Sequence, residues 1–311
     1  MCGFMIEYLP FDKRVPDTQY RDLLLRILTT GEEVPTEHGV SALKVIGHAM
    51  RFPLANGFPV VTERDVAREP KNGRRPSLFH QALGELCAFL NGAHTQQDLE
   101  QFGCYWWDPW VTAEHCEKFG LPPGDLGPGS YGAAFRRFPT AEGTPFDQLR
   151  HLIEQVKERP DARHHELSPW IPQYVLTGHE GGRRVVVPPC HGWVHVHVNS
   201  RTRTLTLTHR QRSADAPVGL VFNLIHYAAL TLMIAQVTGY RANELVYWID
   251  DAHIYLNQLE DVRVMLATEP QRLPTVTLDP AIADLFAFRA QHFAVRDYHP
   301  RLPRRRIATP V

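Results

Sequence analysis

What the sequence is short of narrows the field first. Only five cysteines occur in 311 residues, at positions 2, 87, 104, 116 and 190, an odd number with no CxxC pair. That excludes a disulfide framework and predicts reduced thiols in a cytoplasmic protein. Charge of one sign is also missing. With 33 basic and 34 acidic residues the net charge is −1, so no whole-chain field draws the protein to DNA or to an anionic membrane. An unbroken apolar run of bilayer length is absent too. The longest run, 219–237, is interrupted by Asn223, His226 and Gln236 and reads as a helix buried in a large core. The opening segment 1–10 carries Glu7 and no basic residue ahead of its apolar part, which is not the pattern of a signal peptide. No repeat or low-complexity linker divides the chain, and 43% hydrophobic residues suffice for one large core.

Against that background the patterned segments stand out. Residues 18–29 place Leu23, Leu24, Ile27 and Leu28 on one helical stripe closed by Gly31. Residues 43–52 and 58–62 read as two strands flanking the turn signal Asn56-Gly57. Residues 78–90 and 146–158 are helical, stopped by Asn91-Gly92 and by Pro160. Between 102 and 138 the many Gly, Pro and aromatic residues predict a long surface loop able to line a pocket. Then come β-branched runs at 184–187, 193–198 and 202–208, the last two joined by Asn199-Ser200 as an antiparallel hairpin, and a short strand at 245–249 after the long helix. Partly segregated strands and helices predict an α+β fold with one continuous sheet.

Cys190 lies in Val187-Pro188-Pro189-Cys190-His191, where two prolines hold the backbone extended just before the thiol. By itself this segment fits either a buried structural cysteine or a nucleophile. Cys87, inside the apolar helix, reads as core. Among the 17 histidines, the pair His195 and His197 and the neighbours His164 and His165 raise a metal reading, but no HExxH, CxxC or carboxylate cluster completes one, so no metal is expected. Arg301 and Arg304 to Arg306 form a basic tail that reads as a solvated end.

The segment Pro189-Cys190-His191 is followed by Gln211-Arg212-Ser213-Ala214-Asp215, by Gly219-Leu220-Val221-Phe222-Asn223 and by Asp250-Asp251-Ala252-His253-Ile254-Tyr255-Leu256-Asn257. Upstream lie Gly47-His48-Ala49-Met50-Arg51-Phe52, Leu83-Gly84-Glu85-Leu86, Trp107-Asp108-Pro109-Trp110 and Asp125-Leu126-Gly127-Pro128 with Tyr131-Gly132. In order and spacing, from about Thr18 to the C-terminus, these segments resemble the thymidylate synthase family. The resemblance implies an N-terminal extension over 1–17 and one catalytic domain over 18–311. That domain would be α+β, with a large mixed sheet packed with helices and a sheet-on-sheet homodimer. The implied reaction moves a one-carbon unit, as methyl or hydroxymethyl, from 5,10-methylenetetrahydrofolate to carbon 5 of a pyrimidine nucleotide or nucleoside.

Carbon 5 of a uracil ring is a poor nucleophile until a thiolate adds to carbon 6, and by resemblance Cys190 is that thiol. Arg212 would supply positive charge to it, and Glu85 would move protons to and from the ring. Tyr131 and His191 complete the catalytic set. For the substrate the resemblance assigns Gln211, Ser213, His253 and Tyr255 to ring and sugar, and Asn223 to the pyrimidine edge, where an amide both donates and accepts as uracil requires. Asp215, Trp107, Trp110 and Gly219 are assigned to the folate.

The departures fall at the phosphate. Of four arginines that the family presents to it, two from each subunit, Arg212 and Arg163 are kept. His164 takes the place of a third, and counting back from Gly47 puts Glu37 in the place of the fourth. Neither side chain imitates a bidentate guanidinium. The expected substrate is therefore a uracil-type compound other than ordinary dUMP. Two alternatives stand beside it: an ordinary thymidylate synthase with a drifted phosphate site, and a non-catalytic relative that binds a nucleotide or RNA. His195 replaces a glutamine and Asp250 a glycine. The C-terminus is expected to fall short of closing over the ligands, which would admit water and favour a hydroxymethyl product.

Overall fold

The computed structural model describes residues 6–70, 73, 75–176 and 182–310; Cys2 and Val311 lie outside them. Its spine is a six-stranded mixed sheet of β1 (Glu32–Val34), β2 (Ala42–Pro53), β3 (Glu166–Leu167), β4 (Trp193–Asn199), β5 (Thr204–Asp215) and β6 (Arg241–Tyr255), in the order β1-β2-β6-β5-β4-β3. Neighbours are antiparallel except β5 and β6, whose parallel register sets Ser213 opposite Asp251 and Asp215 opposite His253. A parallel pair needs a crossover. Here it is the helix α8, Gly219–Thr238, which is apolar all round and buried on nearly every side. By length and composition α8 would span a bilayer, yet almost all of it is wrapped by protein. It ends on Gly239 at φ 75°, with the Tyr240 amide returning to Ala235.

The remaining helices are α1 (Gln19–Thr30), α2 (Leu78–Leu90), α3 (Gln96–Gln101), α4 (Ala113–Glu117), α5 (Tyr131–Arg136), α6 (Gln148–Glu158), α7 (Pro172–Val175) and α9 (Leu259–Leu266), and β7 (Thr275–Leu278) pairs with β8 (Phe293–Arg296). α1 packs on β2 and α2 packs on α8. Ser77 caps α2 by accepting the His80 amide, and the chain leaves it through Gly92 at φ 84°. Along β6 the residues Leu245, Tyr247, Ile249, Ala252 and Ile254 enter the core, whereas Trp248 is 44% exposed on the opposite face beside the 67% exposed Ile46 of β2.

Several expected elements take another form. Residues 58–62 are buried but join no ladder. Asn56 ends a 3-10 turn, Gly57 sits at φ 124°, and Pro59 has no amide to give. Residues 184–187 likewise make isolated bonds, Arg184 to Tyr174 and Val186 to Leu126, because two prolines follow at once. Residues 102–138 are not a surface loop. They contain α4 and α5 and bury Cys104, Trp107, Cys116, Leu126 and Tyr131. β6 runs to 15 residues, its alternation continuing through Asp250, Asp251 and His253.

Gly84 marks the closest approach to the site. A β-carbon there would sit 2.3 Å from the Phe102 carbonyl oxygen, a backbone atom on the segment that carries Trp106 and Trp107. Gly84→Ala should therefore destabilise the protein by about 2–3 kcal/mol, as overpacking does. A thermal melt followed by circular dichroism should fall by roughly 4–8 °C, and an unchanged melt would show that α2 is free to shift.

Candidate active site

Three backbone bonds fix the position of Cys190. Its carbonyl accepts the amides of Arg212 (2.9 Å) and Ser213 (3.4 Å) at the end of β5, and its own amide donates to Tyr131 Oη (2.8 Å). The same strand brings Arg212 alongside. Its Nε donates to the Pro189 carbonyl (2.9 Å) and its Nη2 to the Pro188 carbonyl (3.0 Å), with Nη2 3.6 Å from Cys190 Sγ. The two prolines thus present two carbonyls that hold the guanidinium against the thiol. Burial pushes the Cys190 thiol above its ordinary pKa, Arg212 pulls it back, and Asp251 adds to the rise. Cys87, Cys104 and Cys116 are buried. Burial pushes Cys87 up to about 12. Cys190 is the one partly exposed thiol among the described residues.

Glu85 comes from the otherwise apolar α2 and is buried. Its Oε1 accepts the indole N–H of Trp106 (2.7 Å) and that of Trp107. Trp110 packs edge-on against Trp107. His191 lies flat on Tyr131, with centroids 4.3 Å apart, and its Nδ1 is 2.6 Å from Tyr227 Oη. Burial, and then the neighbouring His226, hold its pKa well below the usual imidazole value, so His191 is neutral.

At the far side of the site the orientation of Asn223 follows from a chain of bonds. The Ser213 carbonyl can only accept, so it takes Gln211 Nε2 (2.9 Å); the same nitrogen donates to Asn223 Oδ1 (2.9 Å), and Tyr247 Oη donates to Gln211 Oε1. With Oδ1 occupied, the free group of Asn223 is its N–H donor. Asp215 accepts the Val218 amide (3.1 Å) and Gln258 Nε2 (3.0 Å), and burial raises it to about 6. His253 Nδ1 meets Asp251 at 2.8 Å, and Tyr255 stands edge-on to His253.

Two cavities flank these groups. The first, about 320 Å³, is lined by Glu85, the tryptophans 106, 107 and 110, His191, Asp215, Gly219, Asn223 and Tyr255. The second, about 350 Å³, takes Glu37, His38, Lys44, Ser213, Asp251, His253 and Tyr255. Cys190 stands between them. Its neighbours Val187 and His191 line the first, and Ser213, whose amide it holds, lines the second. Glu37 thus shares this cavity with Ser213 and His253. A third cleft, about 570 Å³, shares Val218 and Phe222 with the first and is lined by Arg64, Arg304, Arg305 and Arg306.

Arg163 and His164 are the two assigned residues not brought to this place. Both are exposed between α6 and β3 and line none of these cavities. The C-terminal segment reaches the site: Thr309 and Pro310 line the first cavity, because Gln258 Nε2 holds the Ala308 carbonyl at 2.8 Å. The basic tail is solvated at Arg301, Arg304 and Arg306, which are exposed, while Arg305 is half-buried and pairs with Asp261 at 2.6 Å; Arg304 to Arg306 line the third cleft. Asp250, in a glycine's place, pairs with Arg210 at 2.6 Å and accepts the Trp248 indole on the outer sheet face. Trp106, His226 and Gln258 were not anticipated. Trp106 could have been read from its place beside Trp107, and His226 from being one helical turn past Asn223; Gln258 carries no sequence signal.

No group of three or more His, Cys, Asp or Glu in a metal-holding arrangement occurs among the described residues. A family model for thymidylate synthase matches residues 18–309, nearly the whole chain. The chain therefore belongs to the thymidylate synthase family, whose chemistry is one-carbon transfer from methylenetetrahydrofolate to carbon 5 of a pyrimidine nucleotide.

Proposed function

We propose that this protein transfers a one-carbon unit from methylenetetrahydrofolate to carbon 5 of a uracil-type substrate other than dUMP, by way of a covalent Cys190 adduct at carbon 6. The ionised thiol adds its electron pair to C6, and the displaced π pair moves to C5 and the C4 oxygen. Asn223 offers its N–H to that oxygen. C5 then bonds to the methylene carbon carried by the folate and loses its proton to a base, for which Glu85 is the carboxylate at hand. The bond from that carbon to the folate nitrogen breaks, and the resulting exocyclic methylene takes up hydride from the folate, giving methyl, or water, giving hydroxymethyl, as the thiolate departs. Asp215, Trp107 and Trp110 form a polar and aromatic surface suited to a folded pterin, and the arginine cleft beside them suits the carboxylate end of a folate. Exposed Ile46 and Trp248 support a second copy packing on the outer sheet face, with Arg163 and His164 reaching the partner's site. Thr309 and Pro310 line the same cavity, and product analysis by mass distinguishes a methyl from a hydroxymethyl product.

The observation that carries the choice of substrate is Glu37 lining the second cavity with Asp251; by the count back from Gly47, Glu37 stands for the family's fourth phosphate arginine. A carboxylate facing a phosphate repels it, and each lost charge-assisted pair removes about 1.5–3 kcal/mol. Initial rates and calorimetric titrations with dUMP, UMP, deoxyuridine and uridine test this. Removing the phosphate is expected to cost less than about tenfold in kcat/KM, whereas a preference for dUMP above about a hundredfold returns the chain to an ordinary thymidylate synthase.

A further inference from the structure

His226 and Glu85 face each other where α8 packs on α2, with Nε2 3.2 Å from Oε2 and side chains only 1% and 7% exposed. Nothing in the packing of α8 calls for an imidazole, since the residues around it, Leu224, Ile225, Ala228, Ala229 and Leu230, are core aliphatics. Nε2 is buried without a hydrogen-bonded partner, and Glu85 Oε2 is its ion-pair neighbour. The two indoles crowd onto Oε1, so Oε2 is the carboxylate's remaining acceptor, and His226 is the group that covers it. His226 also lies one turn from Asn223, so a single face of α8 presents both the base reader and the imidazole.

We propose that His226 is a positioning residue that shares one proton with Glu85 and thereby sets the charge of the carboxylate. The proposal rests on the reading of Glu85 as the group that moves protons to and from the ring. An ionised carboxylate alone in a dry site is costly, whereas imidazolium with carboxylate and imidazole with carboxylic acid are both neutral pairs. As charge develops on the ring oxygen during thiol addition, the proton passes from Nε2 to Oε2 and from Oε2 to that oxygen, which leaves His226 neutral. When C5 bonds to the one-carbon unit the ring oxygen gives that proton back to Oε2 and Nε2, and the proton then lost from C5 passes through Oε2 to the departing folate amine, so no net proton is consumed by the pair.

The groups facing the pair leave it without a competitor. From the Cys190 loop comes His191, its ring 5.8 Å from that of His226; from β5 comes His209, stacked on Tyr227; from α8 itself comes Tyr227. From 102–107 come Cys104, 3.9 Å from Glu85 Oε1, and the two indoles, and from α5 comes Tyr131, stacked on His191. Burial holds His191 and His209 neutral and keeps Cys104, Tyr131 and Tyr227 protonated, so none of these neighbours sets a charge against the pair.

The test is a pH titration of the imidazole nitrogens by NMR on protein labelled with 15N-histidine, comparing the wild type, Glu85→Gln and His226→Gln, the last to assign the resonance. In the wild type the His226 signal should report a shared or fully protonated imidazole to at least about pH 8, and in Glu85→Gln its midpoint should fall by one pH unit or more. An identical midpoint in both overturns the proposal. With substrate, His226→Gln should lose about 10- to 100-fold in kcat with KM for the pyrimidine within about threefold. The acid limb of its rate profile should move upward, because only the two indoles then oppose burial at Glu85. An unmoved limb with normal turnover also overturns the proposal. The NMR comparison needs no substrate, so a silent panel of pyrimidines would sink the functional reading and leave the pair standing.

Discussion

Cys190→Ser is expected to lower turnover by about 10⁴-fold or more and to abolish the covalent adduct with a 5-fluorinated pyrimidine nucleoside or nucleotide. The argument turns on ionisation. A serine hydroxyl stays protonated at any working pH, and one guanidinium at 3.6 Å does not change that. The thiol is poised differently: its pKa lies above the ordinary value because burial outweighs Arg212. Below that pKa the thiolate fraction falls tenfold per pH unit, so the rate of adduct formation should climb with unit slope from neutral into alkaline solution. Arg212→Ala removes the lowering influence and should move the whole curve to higher pH. Intact-protein mass spectrometry after rapid quench checks each statement. The buried thiols Cys87, Cys104 and Cys116 serve as internal controls, and an adduct that persists in Cys190→Ser would mean that another group is the nucleophile.

The sequence disclosed the pieces of this site wherever one residue type did one job in a short segment. Pro188 and Pro189 before Cys190, the carboxylate in an apolar helix, and the run from Gln211 to Asp215 all kept their expected neighbourhoods, because a strand or helix carried each as a unit. The helices α1, α2, α6 and α8 were equally plain, since their apolar spacing and their stop signals agree. What stayed hidden depends on contacts between distant segments. The Asn56-Gly57 signal suggested a hairpin, but β2 finds its antiparallel partner some 200 residues later in β6. Aromatic and glycine-rich sequence at 102–138 looked like a loop, and tertiary packing made it core, with Gly84 allowing the close approach. Likewise, the tail over the cavity is held by Gln258, a residue whose only message is three-dimensional.

Asn223→Asp should turn base preference from uracil toward cytosine, with kcat/KM for the uracil compound falling by about 10²–10³. The prediction comes from the bond chain behind the amide. The Ser213 carbonyl fixes Gln211, Gln211 fixes Asn223 Oδ1, and the amide is left with a donor for the pyrimidine edge. Uracil offers an acceptor at C4 and is matched. Cytosine offers an amino group there, so donor would meet donor, and a buried N–H without a partner costs about 1–3 kcal/mol. An aspartate in the same place keeps one oxygen on Gln211 Nε2 and turns the other toward the ring as an acceptor, which reverses the match. The buried Tyr247 hydroxyl behind Gln211 holds the chain from the other end, so Tyr247→Phe should loosen discrimination between the two bases without inverting it. Competition between paired uracil and cytosine substrates, read by product mass, measures both variants. Equal loss on the two bases in Asn223→Asp would mean that the amide holds the helix end rather than the substrate.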